Sequence, residues 1–343
     1  MPAPDSIRDA ARVLRAGGLV AFPTETVYGL GADAANPDAV RRIFAAKGRP
    51  ADHPLIVHVS AADALAELSP AVPERARILA RRFWPGPLTI VVERGPRVSR
   101  VVTGGQDTVA VRVPDHPLAL ALLREFGGGV AAPSANRFGR VSPTRAEHVI
   151  AELGAAVDRV LDGGGCSVGV ESTIVDVTRG RAVLLRPGGV SRAELEATLG
   201  EGVEVQTEAT SNVRAPGQLP SHYAPSARVI VVTASELAGR AAELARSGAR
   251  VGALLPEGLD APSTVRVFRA PRDGDGYART LYARLRELDA AEVEVALVVA
   301  PEPDGIGEAV IDRLRRAAAP RACVEPAEAG TRETAVISRR QPD

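Results

Sequence analysis

The chain has 343 residues, with 42 basic against 42 acidic residues and two cysteines. This length fits two domains of common size, and the balanced charge argues against a polybasic nucleic-acid binder, a membrane-surface protein or an acidic tail. Two cysteines are too few for a disulfide framework or a thiolate zinc site. The sequence shows the pattern of neither a signal peptide nor a membrane span, and we therefore expect a cytoplasmic protein.

The first part of the sequence alternates helical patterns with short β-rich runs. A first amphipathic helix precedes a strand at 18–22, and a second helix opens at Asn36-Pro37 and closes near Gly48. Further strand patterns follow at 54–59, 87–93, 108–113, 129–132, 172–177 and 182–186. So many strands with so few helical crossovers predict a mixed α/β sheet.

The second part of the sequence has a more regular pattern. Residues 206–227 have no apolar periodicity and contain three prolines, which predicts a linker. Beyond it, strands are predicted at 227–232, 250–255, 264–268 and 293–300, and helices at 235–247, 277–289 and 307–317. This order is typical of a small parallel, Rossmann-like α/β domain. We therefore divide the chain into domains at 1–205 and 228–343, joined by the linker at 206–227.

The loop at 23–31, PTETVYGLG, directly follows a predicted strand. Its four polar side chains belong to Thr24, Glu25, Thr26 and Tyr28. Ligands commonly bind at the carboxyl ends of strands in α/β folds, and the glycines of this loop allow a close approach of the backbone. The alternative is an ordinary polar loop between two elements.

Lys47 is the only lysine in the chain, and with Arg49 it lies where the second helix ends. Two cations there complement the negative end of the helix dipole, which is a sufficient structural reason for them. The functional alternative is a polyphosphate clamp, because a compact ammonium makes contacts that a planar guanidinium does not.

Two of the predicted strands place a polar residue on the face opposite their valines. In 54–59, His58 shares a face with Ile56, and in 108–113, Arg112 shares a face with Thr108 and Ala110. A buried arginine requires an internal carboxylate or the negative group of a ligand. His58 is either a cleft-facing residue or a hydrogen-bonded core histidine.

The segment 129–148 has the highest density of polar residues that could carry chemistry. A strand of small residues leads into Ser134 and Asn136, and Arg140, Ser142 and Thr144 follow before a helix. The spacing of Thr144 and Glu147 predicts a capping box. The same helix N-terminus is suited to a phosphate, with Ser142 and Arg140 as further anion contacts.

The segment 163–177 contains a sequence that matches the nucleophile elbow of serine hydrolases. The match, G-x-S-x-G, covers 165–169, and Asp176 and His222 follow in the hydrolase order. An elbow requires a helix after the serine, whereas a strand is predicted here, which argues against a hydrolase. Ser172, Thr173 and Arg186 instead provide hydroxyls and a cation for a polar pocket. The sequence has no P-loop and no complete G-x-G-x-x-G, so a nucleotide would be held by dispersed cations and hydroxyls.

Taken together, these motifs resemble the threonylcarbamoyl-AMP synthase family, the YrdC-like enzymes, in their long two-domain form. The motifs that carry the resemblance are 23–31, 47–50, 54–59, 108–114, 133–144, 171–176, 185–188 and, in the linker, HYAP at 222–225. The resemblance implies an open, twisted N-terminal mixed α/β sheet of YrdC-like type with a deep cavity, followed by the smaller Rossmann-like domain. It also implies an enzyme that converts ATP, L-threonine and bicarbonate into threonylcarbamoyl-AMP and pyrophosphate, for the threonylcarbamoyl-adenosine modification of tRNA.

The resemblance also implies roles for individual residues. The ATP set comprises Lys47, Arg49, His53, Thr108, Asn136, Ser142, Thr144, Arg186, His222 and Tyr223, with Lys47 and Arg49 also catalytic and Mg²⁺ accompanying the ATP. The threonine set comprises Thr26, His58, Arg112, Ser134 and Ser172. Tyr223 and His222 would belong to a linker that folds back over the nucleotide. Two positions depart from the family pattern: His53 stands where relatives often carry a small polar or basic residue, and the linker lacks the basic residue common before HYAP.

The resemblance further implies that the product passes to a tRNA threonylcarbamoyl-transferase, and it leaves a homodimer open. Two alternatives remain: a carbamoyltransferase that handles a carbamoyl-adenylate, and an RNA-binding or translation-regulating module that uses the same basic cavity for backbone phosphates. Residues 228–343 offer no His/Cys cluster of the kind expected in the first. The neutral charge balance and only eleven aromatic residues argue against the extended nucleic-acid surface of the second.

Overall fold

We describe a computed structural model, which covers residues 4–207 and 212–320. Within these residues the strands form two sheets, one with ten strands and one with four. Strands between residues 20 and 205 form the N-terminal sheet, and strands between residues 228 and 298 form the C-terminal sheet. The predicted fold class, a mixed α/β part followed by a smaller parallel one, is confirmed. No helix among the described residues is long and apolar enough to cross a membrane.

The elements of the N-terminal part follow one another closely. Its helices are α1 (Pro4–Arg15), α2 (Pro37–Lys47), α3 (Leu65–Leu68), α4 (Glu74–Phe83), α5 (Pro117–Phe126), α6 (Ala146–Leu153) and α7 (Arg192–Leu199). Its strands are β1 (Val20–Phe22), β2 (Gly29–Asp33), β3 (Ile56–His58), β4 (Leu88–Glu93), β5 (Thr108–Arg112), β6 (Val130–Ala131), β7 (Arg159–Val160), β8 (Thr173–Asp176), β9 (Val183–Arg186) and β10 (Glu204–Val205). Short 3₁₀ turns cover Ala62–Ala64 and Gly154–Ala156.

The N-terminal sheet has the strand order β10-β9-β8-β4-β5-β3-β6-β2-β1-β7 and mixes parallel with antiparallel pairs. In its centre, β3 runs parallel to β5, with His58 paired to Arg112. Leu55, Val57 and Val59 lie in the main hydrophobic core, as does Val111 of β5. Because side chains alternate along a strand, His58 and Arg112 lie on the opposite face, as predicted.

The helix before this central strand pair ends as its sequence predicts. The Asn36 side chain accepts hydrogen bonds from the amides of Asp38 and Ala39, which caps the start of α2. At the other end, Gly48 adopts a left-handed conformation with a φ of 60°. Glycine takes this conformation without steric cost, and helix α2 ends here, so that Lys47 belongs to the helix and Arg49 to the turn that follows it.

The C-terminal sheet has the order β11-β14-β12-β13, with every neighbouring pair parallel. Its strands are β11 (Arg228–Val231), β12 (Val251–Pro256), β13 (Arg266–Ala270) and β14 (Val295–Val298), and its helices are α8 (Ala234–Arg246), α9 (Gly274–Ala290) and α10 (Gly307–Ala318). Helix α9 begins three residues before its predicted start, because Asp273 caps it through the amide of Gly276. The final segment, 321–343, lies outside the described residues.

The capping box predicted at Thr144 is wrong. Helix α6 begins only at Ala146, and its N-cap residue, Arg145, makes no side-chain cap hydrogen bond. Thr144 is buried, its amide faces Nδ1 of His148 at 3.3 Å, and its carbonyl accepts from the amide of Cys166. The Thr144 amide is therefore paired with a side chain of α6 itself, and the Thr144 carbonyl with a residue 22 positions later, so the Thr144–Glu147 spacing gave the wrong cap.

Candidate active site

A small cavity lies against the polar face of the central strands. Its lining residues are Thr24, Thr26, Val27, Gly29, Arg49, Ile56, His58, Arg112, Ala132, Pro133, Ser134, Glu171, Ser172, Arg186, Pro216, Gly217, His222 and Tyr223. Its volume is about 50 Å³. Loops after β1, α2 and β6 form one side of it, and part of the predicted linker forms the other.

All five residues of the threonine set line this cavity. Arg112 is buried, its Nε donates to the carbonyl of Gly86 at 3.2 Å, and its Nη2 lies 2.7 Å from Oε1 of Glu25. The contact with Glu25 is an ion pair without hydrogen-bond geometry. The sequence left two partners open for a buried arginine, an internal carboxylate or a ligand. The structure provides the carboxylate, Glu25, and Arg112 also lines the cavity, where it can meet a ligand.

His58 is a neutral residue at the cavity wall. Burial, with the positive charge of Arg112, lowers the pKa of His58 to about 3. Its Nδ1 is buried and has no hydrogen-bond partner among the described residues. Buried polar atoms are rarely left unpaired, so this nitrogen is a candidate contact for a small ligand.

The hydroxyl groups around the cavity are held by one another. Oγ of Ser172 lies 2.8 Å from Oγ1 of Thr89, and Oγ1 of Thr26 lies 2.8 Å from Oγ1 of Thr24. Thr24 in turn donates to the carbonyl of Val27 at 2.6 Å. The threonines before β2 are therefore held in a fixed arrangement, although the predicted loop at 23–31 is wrong in its last three residues, which begin strand β2 (Gly29–Asp33). No helix follows Ser167, only loop and then β8, which agrees with the argument against a hydrolase.

Four residues of the ATP set line the same cavity: Arg49, Arg186, His222 and Tyr223. Burial lowers the pKa of Arg49 to about 10, with Arg186 contributing. The guanidinium of Arg186 donates to the Ser172 carbonyl at 2.9 Å and to the Pro216 carbonyl at 2.8 Å. Arg49 donates to the carbonyl of Pro54 at 3.0 Å. Among the described residues neither arginine forms an ion pair, although Asp52 acts on Arg49 and Glu171 on Arg186 from farther away, so both guanidinium groups are available to an anion.

Lys47 does not line the cavity but is buried directly behind it. Its ammonium donates to the carbonyl of Ser134 at 2.6 Å and to the carbonyl of Asn136. Burial and the neighbouring Arg49 lower its pKa well below the ordinary value. The structure therefore gives Lys47 a role in holding the loop that carries Ser134 and Asn136.

The other members of the ATP set lie around the cavity without lining it. Asn136 donates to the carbonyls of Arg137 and Arg140, while its buried Oδ1 has no hydrogen-bond partner among the described residues. Oγ of Ser142 donates to Glu171 at 2.6 Å. Thr108 lies at the start of β5, and Thr144 before α6, as described. Arg140 was predicted to contact an anion. Its guanidinium instead donates to Oγ of Ser226 and forms an ion pair with Asp289.

Aromatic rings form a chain at one end of the cavity. The half-buried His53 contacts Phe138 edge to face, with ring centroids 5.4 Å apart, and Phe138 contacts His222 at 5.7 Å. The guanidinium of Arg49 lies 5.6 Å from the Phe138 centroid. His53 is therefore close to Arg49, but its ring packs against an aromatic side chain.

The described residues of the predicted linker, 206–207 and 212–227, include side chains that pack against both parts of the protein. Val213 and Ala215 join Ile56 and Ala110 in a small hydrophobic cluster on the polar face of the sheet. His222 and Tyr223 are buried. Pro216, Gly217, His222 and Tyr223 of this segment line the cavity.

Gly217 makes this closed arrangement possible. Its φ is 82°, and a Cβ atom there would lie 2.1 Å from Oη of Tyr223 and 3.1 Å from Nη1 of Arg186. Only a glycine allows the tyrosine and the arginine to approach this turn so closely.

Sequence reasoning missed several residues around the cavity, of which Glu171 is the most prominent. Its carboxylate accepts from Ser142, from Tyr282 and from Arg313, the last two on helices of the C-terminal part. A signal was present in α10, where Arg313 interrupts an apolar stripe that includes Val310 and Leu314. A lone arginine in such a stripe indicates a buried ion pair.

Comparison with known proteins identifies both parts of the chain. A family model of the Sua5, YciO and YrdC proteins, described as telomere recombination, matches residues 12–188. A second, described as the threonylcarbamoyl-AMP synthase C-terminal domain, matches residues 190–319.

Similar proteins match over nearly the whole length. The threonylcarbamoyl-AMP synthases of Pyrococcus abyssi and Bacillus subtilis are 45% and 42% identical, covering 91% of this chain and 93% and 92% of theirs. The crystal structure of P. abyssi Sua5 complexed with L-threonine superposes with a TM-score of 0.87 at 44% identity, covering 92% of this chain and 95% of that one. The chain belongs to the threonylcarbamoyl-AMP synthase family, among the members that carry the C-terminal domain.

Proposed function

We propose that this chain joins ATP, L-threonine and bicarbonate into threonylcarbamoyl-AMP and pyrophosphate. The observation that carries the proposal is that all five residues of the threonine set line one buried cavity beside two arginines that form no ion pair among the described residues. The P. abyssi relative, which shares the fold, has been crystallised with L-threonine. This function accounts for both groups of residues, whereas an RNA-binding module would not need a closed amino-acid pocket.

On the threonine side, Arg112 is suited to the substrate carboxylate, because an arginine can bind a carboxylate through two parallel hydrogen bonds. The hydroxyls of Ser134 and Ser172 offer further contacts. His58 stays neutral in the range in which enzymes work, so its ring adds no positive charge beside the substrate ammonium. We infer that Nδ1 of His58 accepts a hydrogen bond from the substrate.

The reaction has two bond-forming steps. The deprotonated threonine amine attacks the carbon of bicarbonate, which forms the carbamate and releases water. A carbamate oxygen then attacks the α-phosphorus of ATP, and the bond to the β-phosphate breaks so that pyrophosphate leaves. Neither step forms a covalent bond to the protein, which is consistent with side chains that align substrates and neutralise phosphate charge.

Of the three arginines that line the cavity, Arg112 belongs to the threonine set, and Arg49 and Arg186 belong to the ATP set. We assign them to the phosphates, and we assign Lys47 to the shape of the Ser134–Asn136 loop. The cavity of about 50 Å³ is far smaller than the roughly 300–1,000 Å³ of pockets that hold drug-sized ligands. ATP therefore requires the segment with Gly217 and Tyr223 to move outward.

We expect Mg²⁺ to enter as part of the ATP complex. No group of three metal-ligating side chains occurs among residues 4–207 and 212–320. Mg²⁺ commonly keeps several waters and binds through phosphates with one or two carboxylates.

We further infer that the product is passed to a tRNA threonylcarbamoyl-transferase and that the reaction takes place in the cytoplasm, where tRNA is modified. An adenylate is a reactive mixed anhydride, so direct transfer to the next enzyme limits its hydrolysis.

The test is a pyrophosphate-release assay with the purified full chain. We expect release from Mg-ATP only when threonine and bicarbonate are both present, and a product with the mass of threonylcarbamoyl-AMP. Release that is independent of threonine would refute the proposal. Tight, salt-sensitive RNA binding without turnover would instead favour the RNA-binding alternative.

A further inference from the structure

A buried ionic cluster joins the cavity to the C-terminal part of the protein. Oε2 of Glu171 accepts from Nε of Arg313 and from Oη of Tyr282, both at 2.8 Å. Oε1 of the same carboxylate accepts from Oγ of Ser142 at 2.6 Å. Glu171 lines the cavity, whereas Tyr282 lies on α9 and Arg313 on α10. The cluster therefore connects a residue that lines the cavity to two helices of the C-terminal part.

Adhesion between the two parts does not explain this cluster. The cost of removing two charges from water commonly offsets the attraction between them, so a buried ion pair adds little to stability over well-packed apolar residues. Apolar contacts are present beside it, since Val27 and Val141 of the N-terminal part share a hydrophobic core with Leu281 and Leu285 of α9.

The position of Glu171 indicates what Arg313 does. A carboxylate in a cavity that receives phosphates repels them and attracts the arginines meant for them. Arg313 lies within ion-pair distance of Glu171, and Arg186 does not, although both lower the pKa of this carboxyl against the opposing effect of burial. With its charge matched by Arg313, Glu171 leaves Arg186 free for the substrate.

The same arginine also contacts the segment that covers the cavity. The guanidinium carbon of Arg313 lies 5.1 Å from the ring centroid of Tyr223. The ring of Tyr282 stacks on the same Tyr223 ring, with the two centroids 5.9 Å apart. Tyr223 has a φ of 60°, a conformation that a bulky residue keeps only when its surroundings hold it there. Two C-terminal side chains therefore hold the tyrosine of the HYAP motif at the cavity wall.

We propose that Arg313 is a positioning residue for ATP binding: it neutralises Glu171 and holds Tyr223, so that Arg186 remains available to the phosphates. The C-terminal part thus contributes to the reaction through one side chain on α10. This inference rests on the proposed function for the identity of the anion, ATP.

The test compares Arg313→Met and Arg313→Lys with Glu171→Gln and the double variant Glu171→Gln/Arg313→Met. We expect Arg313→Met to raise both the Kd and the KM for Mg-ATP about tenfold, while the KM for threonine changes less than about twofold. Arg313→Lys keeps the charge and should recover part of the loss. The double variant, in which no carboxylate competes for Arg186, should recover most of the ATP binding that Arg313→Met loses, and the remaining deficit relative to Glu171→Gln measures the contact of Arg313 with Tyr223.

The matched control is Arg286→Met, on α9. Arg286 forms another ion pair between the two parts, with Glu152 at 2.7 Å, and it does not line the cavity. We expect this control to lower the melting temperature without changing ATP binding. If Arg313→Met behaves in the same way, or if the losses in the double variant multiply, Arg313 has only a structural role and the inference is wrong.

The direct ATP-binding measurement, by calorimetry without threonine and bicarbonate, separates this inference from the proposed function. If the unaltered chain shows no threonine-dependent turnover, the proposed function fails. A tenfold loss of ATP binding in Arg313→Met, rescued in the double variant, would still support the role of Arg313.

Discussion

The two sides of the cavity are built in different ways. The threonine side takes His58 and Arg112 from adjacent parallel strands, where the strand register fixes which side chains face each other. The ATP side takes Arg49 from a turn after a helix and Tyr223 from the segment between the two sheets. The first is set by local alternation, and the second depends on contacts between residues far apart in the chain. Substitutions should therefore act locally on the threonine side and at a distance on the ATP side.

The largest expected effect is on the threonine side, at Arg112. Arg112→Gln removes the cation proposed for the substrate carboxylate and leaves Glu25 without its partner. Loss of one member of a buried charge pair costs about 2–5 kcal/mol, so we expect the KM for threonine to rise about 100-fold. Initial-rate kinetics with varied threonine measure this, and Arg100→Gln, an exposed member of a surface ion pair, is the control. A rise confined to the KM for ATP would contradict the assignment.

Lys47→Arg tests whether Lys47 positions residues on both sides of the cavity, since its ammonium contacts Ser134 of the threonine set and Asn136 of the ATP set. A guanidinium is too broad to occupy the position of an ammonium between the carbonyls of Ser134 and Asn136, so the loop should shift. We expect kcat/KM to fall about 30-fold for both substrates, which corresponds to about 2 kcal/mol. Arg41→Met, on the exposed face of the same helix, should leave both values unchanged. An effect on ATP alone would place the ammonium on the phosphates after all.

The burial of His58 predicts a pH dependence of stability. Its pKa is about 3 in the folded chain and about 6.5 in an unfolded one. Between about pH 6 and about pH 3, the unfolded state therefore binds about one more proton at His58 than the folded state does. The free energy of unfolding falls as the pH falls through this range, by about 1.4 kcal/mol per pH unit from this residue.

The variant His58→Asn should remove that part of the slope between about pH 6 and pH 4. Denaturant unfolding at several pH values measures it. His53→Asn, at the half-exposed ATP side, should change the slope less. Equal effects of the two variants would mean that His58 is not the more deeply desolvated residue.

The smallest expected effect is that of Gly217→Ala, which tests the ATP side at a distance. The added methyl group meets Tyr223 and Arg186, and the positive φ adds about 1 kcal/mol of strain. We expect the KM for ATP to rise about fivefold, with little change for threonine. Gly202→Ala, where a Cβ would meet nothing within 4 Å, is the control. An unchanged KM for ATP would show that the approach of Tyr223 to Arg186 is dispensable.

The sequence predicts the strand-borne residues well, because alternation alone determines that His58 and Arg112 face away from the valines. It also predicts seven of the ten strands of the N-terminal sheet and all four of the C-terminal sheet, since apolar runs are local features, but it misses β2, β7 and β10. Lys47 is different: its position at a helix end is readable, but its carbonyl partners come from a loop almost ninety residues later. The capping box at Thr144 failed because α6 begins one residue later than the Thr144–Glu147 spacing requires, with Arg145 as its N-cap residue.

Residues that act between the two parts were the hardest to predict. Glu171 belongs to a motif that the sequence displays, yet its partners lie on α9 and α10, more than 100 residues away. Composition and periodicity describe each element separately, and they do not say which faces of two domains meet. The role of such residues becomes visible only when the packing of α10 against the cavity is known.

The burial of Lys47 has a practical consequence for labelling. Because the chain has one lysine, its only ε-amino group lies behind the substrate cavity. Burial and the neighbouring Arg49 lower the pKa of that amine, but a reagent reaches it only when the surrounding structure opens. An acylating reagent therefore gives a protein with a single internal mark, whose rate of appearance, followed by mass spectrometry, reports how often the loop around Ser134 opens.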